Sequence, residues 1–198
     1  MKVAIHQPNF LPWGGFFQKY SEADVFISLN DCEFSKGGYT NRVKMKDTLV
    51  TIHVQGKSDL FINEVLLNEH KKRLVKLQKQ ISQLYTNIDA EFFDILEMCI
   101  NYDSCTLSTF NQMLNHLVVK KLNLGNKFAK SEDMNVFSCG SDRILDLCLE
   151  VGATEYITGT GGLKYLDLDK FRQSGVIVTS RSYGRIFKDS SIMDILYD

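Results

Sequence analysis

The sequence predicts an α/β protein: a mostly parallel sheet with flanking helices, Rossmann-like and three-layered, with a helical middle insertion. Three observations predict it. Lys2–Ile5 and Asp24–Asn30 are short apolar runs separated by one helical stretch, Phe16–Ala23. Two strands joined by a helix within about 30 residues form a βαβ unit, which calls for parallel pairing. The same alternation returns near the other end, where Glu155–Thr158 and Val176–Ser180 flank the helical stretch Leu168–Ser174. Between the two ends the apolar period changes to that of helices. The two ends are therefore expected to supply one sheet, and residues 68–125 a helical subregion of a single domain spanning 1–198.

The remaining elements follow in order. Arg42–Met45 and Thr48–Val54 read as a β-hairpin, and Ile62–Leu67 as another short strand. Leu74, Leu77, Ile81, Leu84 and Tyr85 recur at helical spacing with lysines on the opposite face. Ala90–Asn101 and Leu107–Leu122 are two further amphipathic helices, with Leu124-Gly125 placed as a C-cap. Met134–Ser138 fits a strand, and Ser141-Asp142 fits the cap of a helix that runs to Val151 and stops at Gly152. The tail, Ser190–Tyr197, reads as helical.

Composition narrows the function. The chain has 198 residues, with 23 basic and 24 acidic side chains and a formal net charge of −1. A nucleic-acid binder would be expected to be strongly basic, so none is expected as a partner. No run approaches the ~18 apolar residues of a membrane span, and the opening Met1–His6 is too short for a secretory core of roughly 7–15 apolar residues. Cys32, Cys99, Cys105, Cys139 and Cys148 form no C-x-x-C pair, which fits reduced thiols and a cytoplasmic location. His53, His70 and His116 lack metal-ligand spacing, and no metal site is expected from them. The cluster Lys71, Lys72, Arg73, Lys76 and Lys79 reads as a solvated helix face.

Three constellations carry chemistry. The first follows the first strand: His6, Gln7, Asn9, Trp13, Gly14 and Gly15. Ligands of parallel α/β sheets bind beyond the carboxyl ends of the strands. An imidazole there can exchange a proton near neutral pH, and Gln7 and Asn9 each offer donor and acceptor. Gly14 and Gly15 open a helix whose amides suit a phosphate. The alternative is a rigid connector stiffened by Pro8 and Pro12. The second constellation leaves the second strand: Asp31, Glu33, Lys36, Tyr39, Asn41, Arg42 and Lys44. Its carboxylates suit Mg²⁺ or a proton from an amine, and its cations suit phosphate or carboxylate; a solvated turn is the plainer reading. The third is Thr158-Gly159-Thr160-Gly161-Gly162, followed by Tyr165, where unhindered amides and hydroxyls suit an anion. It is neither a Walker A motif nor Gly-x-Gly-x-x-Gly, and a tight turn would use the same glycines.

Taken in order, the segments IHQPNFLPWGGFFQKYSEADVFISLND, EFSKGGYTNRVKMK, SDRILDLCLEVGATEYITGTGGLKYLD and SSIMDILYD resemble the WbqC-like family over nearly the whole chain. The residues that carry the resemblance are His6, Gln7, Pro8, Leu11, Gly15, Asp31, Phe34, Asn41, Arg42, Gly152, Ala153, Gly159, Gly162, Tyr165, Leu166 and Asp167. The chain departs from the family pattern at Glu33, where a glutamine is usual, and at Ser182–Asp189, which is short and lacks a His-Pro segment. The resemblance implies surface-polysaccharide (O-antigen) biosynthesis, and an enzyme that forms an amide on the amine of a nucleotide-linked sugar with a glycyl or other small acyl group. His6 and Asp31 are then the candidates to take the amine's proton. Arg42 and the amides of Gly159–Gly162 are the candidates to hold the pyrophosphate. A distant fold-level likeness to nucleotidyltransferase-like ligases adds ATP, with Mg²⁺, as a compatible cofactor. The alternative is a non-catalytic sugar-nucleotide-binding or scaffold protein of the same pathway. The partner expected in both readings is the sugar nucleotide, with a homo-oligomer left open.

Overall fold

The computed structural model describes residues 1–54, 59–67, 71–102, 104–125, 127–183 and 190–197. Its order of elements is β1 (Lys2–His6), α1 (Gly14–Glu22), β2 (Val25–Ser28), β3 (Arg42–Met45), β4 (Thr48–Thr51), α2 (Lys71–Leu84), α3 (Ala90–Asn101), α4 (Leu107–Lys121), β5 (Lys127–Lys130), α5 (Gly140–Glu150), β6 (Glu155–Gly159), α6 (Leu168–Gln173), β7 (Ile177–Arg181) and α7 (Met193–Leu196). The chain divides into two compact units. The first comprises Met1–Gln7, Gly15–Leu29 and Leu124–Ile186; the second comprises Pro8–Gly14, Asn30–Asn123 and Phe187–Asp198.

The first unit is a five-stranded sheet in the order β5-β2-β1-β6-β7, parallel throughout. This is the α/β architecture that the sequence predicts, and the two ends of the chain do supply one sheet. Side chains alternate across it. Val3, Ile5, Val25, Ile27 and Tyr156 lie in one core with Leu145, Leu147 and Cys148 of α5 and Phe171 of α6. On the opposite face α1 packs through Phe16 and Tyr20, whose rings meet Phe26, while Phe16 also meets the ring of His6. Helices on both faces make the three layers.

The second unit joins the β3–β4 hairpin to α2, α3 and α4 around a core that includes Phe34, Met45, Val50, Ile62, Ile81, Phe92, Leu96, Phe110 and Leu114. Burying each of these side chains contributes on the order of 1.5–3 kcal/mol. The hairpin turns on Lys46 (φ 40°) and Asp47 (φ 64°), both left-handed, which matches the twist of a two-residue loop. On α2, Leu74, Leu77 and Ile81 are buried while Lys72, Arg73, Lys76 and Lys79 face solvent.

Several local expectations are corrected. Ile62–Leu67 is not a strand. Its amides go to separate partners, Ile62 to the Cys32 carbonyl (3.0 Å) and Leu67 to the Cys105 carbonyl (2.9 Å), leaving only isolated bridges. Met134–Ser138 is not a strand either. Arg143 holds it from α5 through the carbonyls of Val136 (2.8 Å) and Ser138 (3.3 Å), and the strand of this region is β5, at Lys127–Lys130. The left-handed residue beyond α4 is Asn123 (φ 51°), two positions before Gly125. Ser141 does not cap α5, which already begins at Gly140; its hydroxyl accepts a hydrogen bond from the Asp167 amide at 2.8 Å instead.

Candidate functional site

Strand order marks the candidate ligand position of a sheet of this kind. From β1 the chain runs outward to β2 and β5 on one side, and to β6 and β7 on the other. Order therefore reverses between β1 and β6, and the crevice beyond their carboxyl ends is the place where such sheets bind ligands. The hydrogen-bond ladders show the crevice opening. On the β2 side, pairing runs to His6–Ser28; on the β6 side it stops at Ala4–Ile157. The carbonyls of β1 alternate accordingly. Those of Lys2 and His6 accept from Asp24 and Leu29 on the β2 side, and that of Met1 accepts from Glu155 on the β6 side. The Ile5 carbonyl is therefore directed toward β6. A continued ladder would give it the Gly159 amide, but the pairing has already ended.

Lys19 takes the place of that amide. Its ammonium donates to the Ile5 carbonyl at 3.0 Å, and the residue is only 5 % exposed. Among the described residues no carboxylate pairs with it. Burial without a counter-charge brings the lysine down to about 7 from its usual 10.5. His6, at the end of β1, is partly buried against Phe16. Its Nδ1 lies 3.0 Å from the Gln7 carbonyl. A carbonyl can only accept, so Nδ1 carries the proton and Nε2 presents its lone pair. Burial first, and then the nearby Lys19 charge, lower His6 to about 3 against the opposing pull of the Gln7 carbonyl. The imidazole is thus neutral across the physiological range.

The β6 loop has its own constraint. A Cβ on Gly162 would stand 2.2 Å from the Thr158 hydroxyl, so only glycine fits beneath that strand end. Thr158 is buried, Gly159 partly so, and Thr160, Gly161 and Tyr165 are exposed. His6, Gln7, Gly15, Thr158, Gly159, Thr160, Gly161, Gly162 and Tyr165 all belong to the first unit.

Asn9, Trp13, Gly14, Asp31, Glu33, Lys36, Asn41 and Arg42 belong to the second. There the loops after β1 and β2 are joined. The Phe10 amide donates to the Tyr39 carbonyl at 3.0 Å. Asn111 of α4, fully buried, donates to the carbonyls of Pro8 and Thr40, each at 2.7 Å, and Asn115 donates to that of Asn9 at 3.0 Å. Ser191 donates its hydroxyl to the Leu11 carbonyl at 2.8 Å. Asn41 uses both ends of its amide on backbone, accepting from Gly37 and donating to Ile52, each at 3.0 Å. Arg42, Lys36 and Glu33 are exposed, and the Arg42 guanidinium lies over Gly37. His53 and His116 are exposed, while His70 and residues 184–189 lie outside the described residues.

Lys19, Asn111 and Asn115 escape a reading based on motifs. Lys19 was nonetheless signalled: it falls with Phe16 and Tyr20 at i, i+3 and i+4, on the apolar face of α1. A lysine there is an anomaly worth marking. Asn111 and Asn115 stand likewise one helical turn apart among buried apolar residues of α4.

A parallel, three-layered α/β sheet whose β1–β6 pairing ends early, bordered by an imidazole and a glycine loop, defines a Rossmann-like fold with a candidate ligand crevice beside β1. The chain belongs to the WbqC-like protein family, whose model matches residues 7–188. It is similar to the uncharacterized protein Rv1507c of Mycobacterium tuberculosis (strain ATCC 25618 / H37Rv), 26 % identical over 217 residues that cover 100 % of this chain and 93 % of that protein. No solved structure matches it. No helix among the described residues is long and apolar enough to cross a membrane.

Proposed function

We propose that this protein is a glycan-biosynthesis enzyme that forms an amide on the amine of a nucleotide-linked sugar, adding a glycyl or other small acyl group. The observation that carries the reading is the opening between β1 and β6, which has His6 on one rim and the Gly159–Gly162 loop on the other. Freed backbone amides suit the oxygens of a pyrophosphate and the oxyanion of an acyl group under attack. The neutral His6 offers Nε2 as an acceptor for an N–H of the sugar amine, which aligns the nitrogen lone pair on the acyl carbon. Asp31 is proposed as a carboxylate that receives the amine's proton. ATP with Mg²⁺ would activate the acyl carboxylate of a free amino acid as a mixed anhydride with phosphate or AMP; the amine would then form the C–N bond as the acyl C–O bond to that group breaks and the phosphate or AMP leaves.

The proposal is tested by incubating the protein with UDP- or dTDP-linked amino sugars, ATP and glycine, followed by mass spectrometry. A mass gain matching one glycyl group is expected. Silence across a broad panel of amino sugars and donors would leave a sugar-nucleotide-binding scaffold as the better reading.

A further inference from the structure

We infer that Lys19 and the freed amide of Gly159 form a binding site for a small polyanion, of which the diphosphate of a nucleotide is the fitting class. Folding alone does not require the arrangement at this point of the sheet. The β1–β6 ladder could have continued by one more bond, from the Gly159 amide to the Ile5 carbonyl. Pairing stops at Ala4–Ile157 instead, and the carbonyl is capped by an ammonium brought from α1. Two consequences coincide there. An amide is released at the carboxyl end of β6. A cation with three donors, one of them used on Ile5, is buried beside it.

Burying a charge without a counter-charge is costly, and Lys19 is 5 % exposed. The groups that face it do not relieve that cost. On its face of the sheet, β1 contributes His6, which is neutral. By register, β2 contributes Phe26 and Ser28, and β6 contributes Ile157 and Gly159, none of them charged. Lys130 on β5 is paired with Glu132. Arg181 on β7 is paired with Glu22 of α1 itself, at 3.3 Å. Tyr20, the next residue on α1, is pushed above its ordinary value by burial and stays uncharged. Among the described residues none offers the ammonium an opposite charge, and a bound anion would supply it. An anion entering beyond the carboxyl ends of β1 and β6 would meet the ammonium, the Gly159 amide and the glycine loop together. It would also restore to Lys19 the proton that burial loosens, so that binding near neutral pH takes up a proton.

This site rests on the function proposed above and deepens it by naming where the diphosphate sits, but its test does not depend on turnover. Inorganic pyrophosphate is titrated into the intact protein by calorimetry at pH 7.5, in two buffers of different ionisation enthalpy. Saturable binding is expected, and wild type should take up more protons on binding than Lys19→Arg, whose charge does not titrate; the comparison cancels the protons that pyrophosphate itself loses. Lys19→Met should weaken binding tenfold or more. Absence of binding to the wild-type protein at millimolar pyrophosphate, which needs no variant to fold, would overturn the inference. So would binding to a folded Lys19→Met as tight as to wild type. Binding as expected, with no amide formed in the assay above, would keep this site and remove the proposed reaction.

Discussion

Gly162 lies beneath Thr158 so closely that a methyl group on one would collide with the hydroxyl of the other, at 2.2 Å. The pair locks the loop after β6 against the strand it leaves. Gly162→Ala should therefore cost about 1–3 kcal/mol by overpacking, and Thr158→Ala should relieve most of that cost. The double variant is expected to be more stable than the sum of the single changes. Urea unfolding of the four proteins measures that coupling, and strict additivity would show that the loop simply moves aside.

Lys19 makes stability depend on alkaline pH. Its folded value of about 7 lies below the unfolded 10.5. Between those values the unfolded chain holds more protons, so stability rises with pH through that window and is lowest below it. Lys19→Met should be more stable than wild type at pH 6, by on the order of a few kcal/mol, and the gap should narrow by pH 10. Chemical denaturation across pH 6–10 tests both parts.

His6 acts with the same sign on the acid side. Its folded value near 3 lies below 6.5, so its contribution is present above 6.5 and is lost as pH falls toward 3. In His6→Phe the slope of stability between pH 6.5 and 5, where most carboxylates are still ionised, should be flatter. An unchanged slope would mean that the imidazole is protonated freely in the folded protein.

Asn111 ties two loops together with one amide group. Asn111→Ala leaves the carbonyls of Pro8 and Thr40 buried without their donor, at about 1–3 kcal/mol for each unpaired group. Amide exchange at Phe10, whose N–H reaches Tyr39, should accelerate more than exchange in α3. Equal acceleration in both would indicate global destabilisation and not a loosened loop.

The hairpin turn is strained where it need not be. Lys46 and Asp47 both occupy left-handed conformations that asparagine and glycine adopt more readily. Changing them to Asn and Gly should raise the melting temperature by about 2–4 °C. The Lys46 amide would keep its bond to Asp194, at 3.0 Å, because only the side chain changes.

Local periodicity made most of this architecture legible. The βαβ start, the hairpin and the helices α2 to α4 each write their own pattern into consecutive residues. The misses share a cause. Residues 62–67 look like a strand because Ile62, Val65 and Leu67 make a short apolar run, yet the amides of Ile62, Asn63 and Leu67 go to Cys32, Asn30 and Cys105, and no local pattern encodes that. β5 reads Lys-Phe-Ala-Lys, too polar to announce itself, because it is a sheet edge with half its surface in water. For the site, glycines and the histidine were visible as motifs. Lys19 was visible only as a charge in the wrong place on a helix, and its partner, a backbone carbonyl, has no letter in the sequence.

The central strand of the sheet is also the first to be made. β2 ends at Ser28, but β6 begins only at Glu155 and β7 at Ile177. At about 5–20 residues per second, the nascent chain carries half a sheet for on the order of ten seconds, with one side of β1 unpaired. The long stretch Asn30–Asn123 is complete in that interval and holds most of the second unit. Synthesis thus sets a schedule in which the candidate crevice forms late, when the glycine-bearing strand arrives beside a partner made long before it.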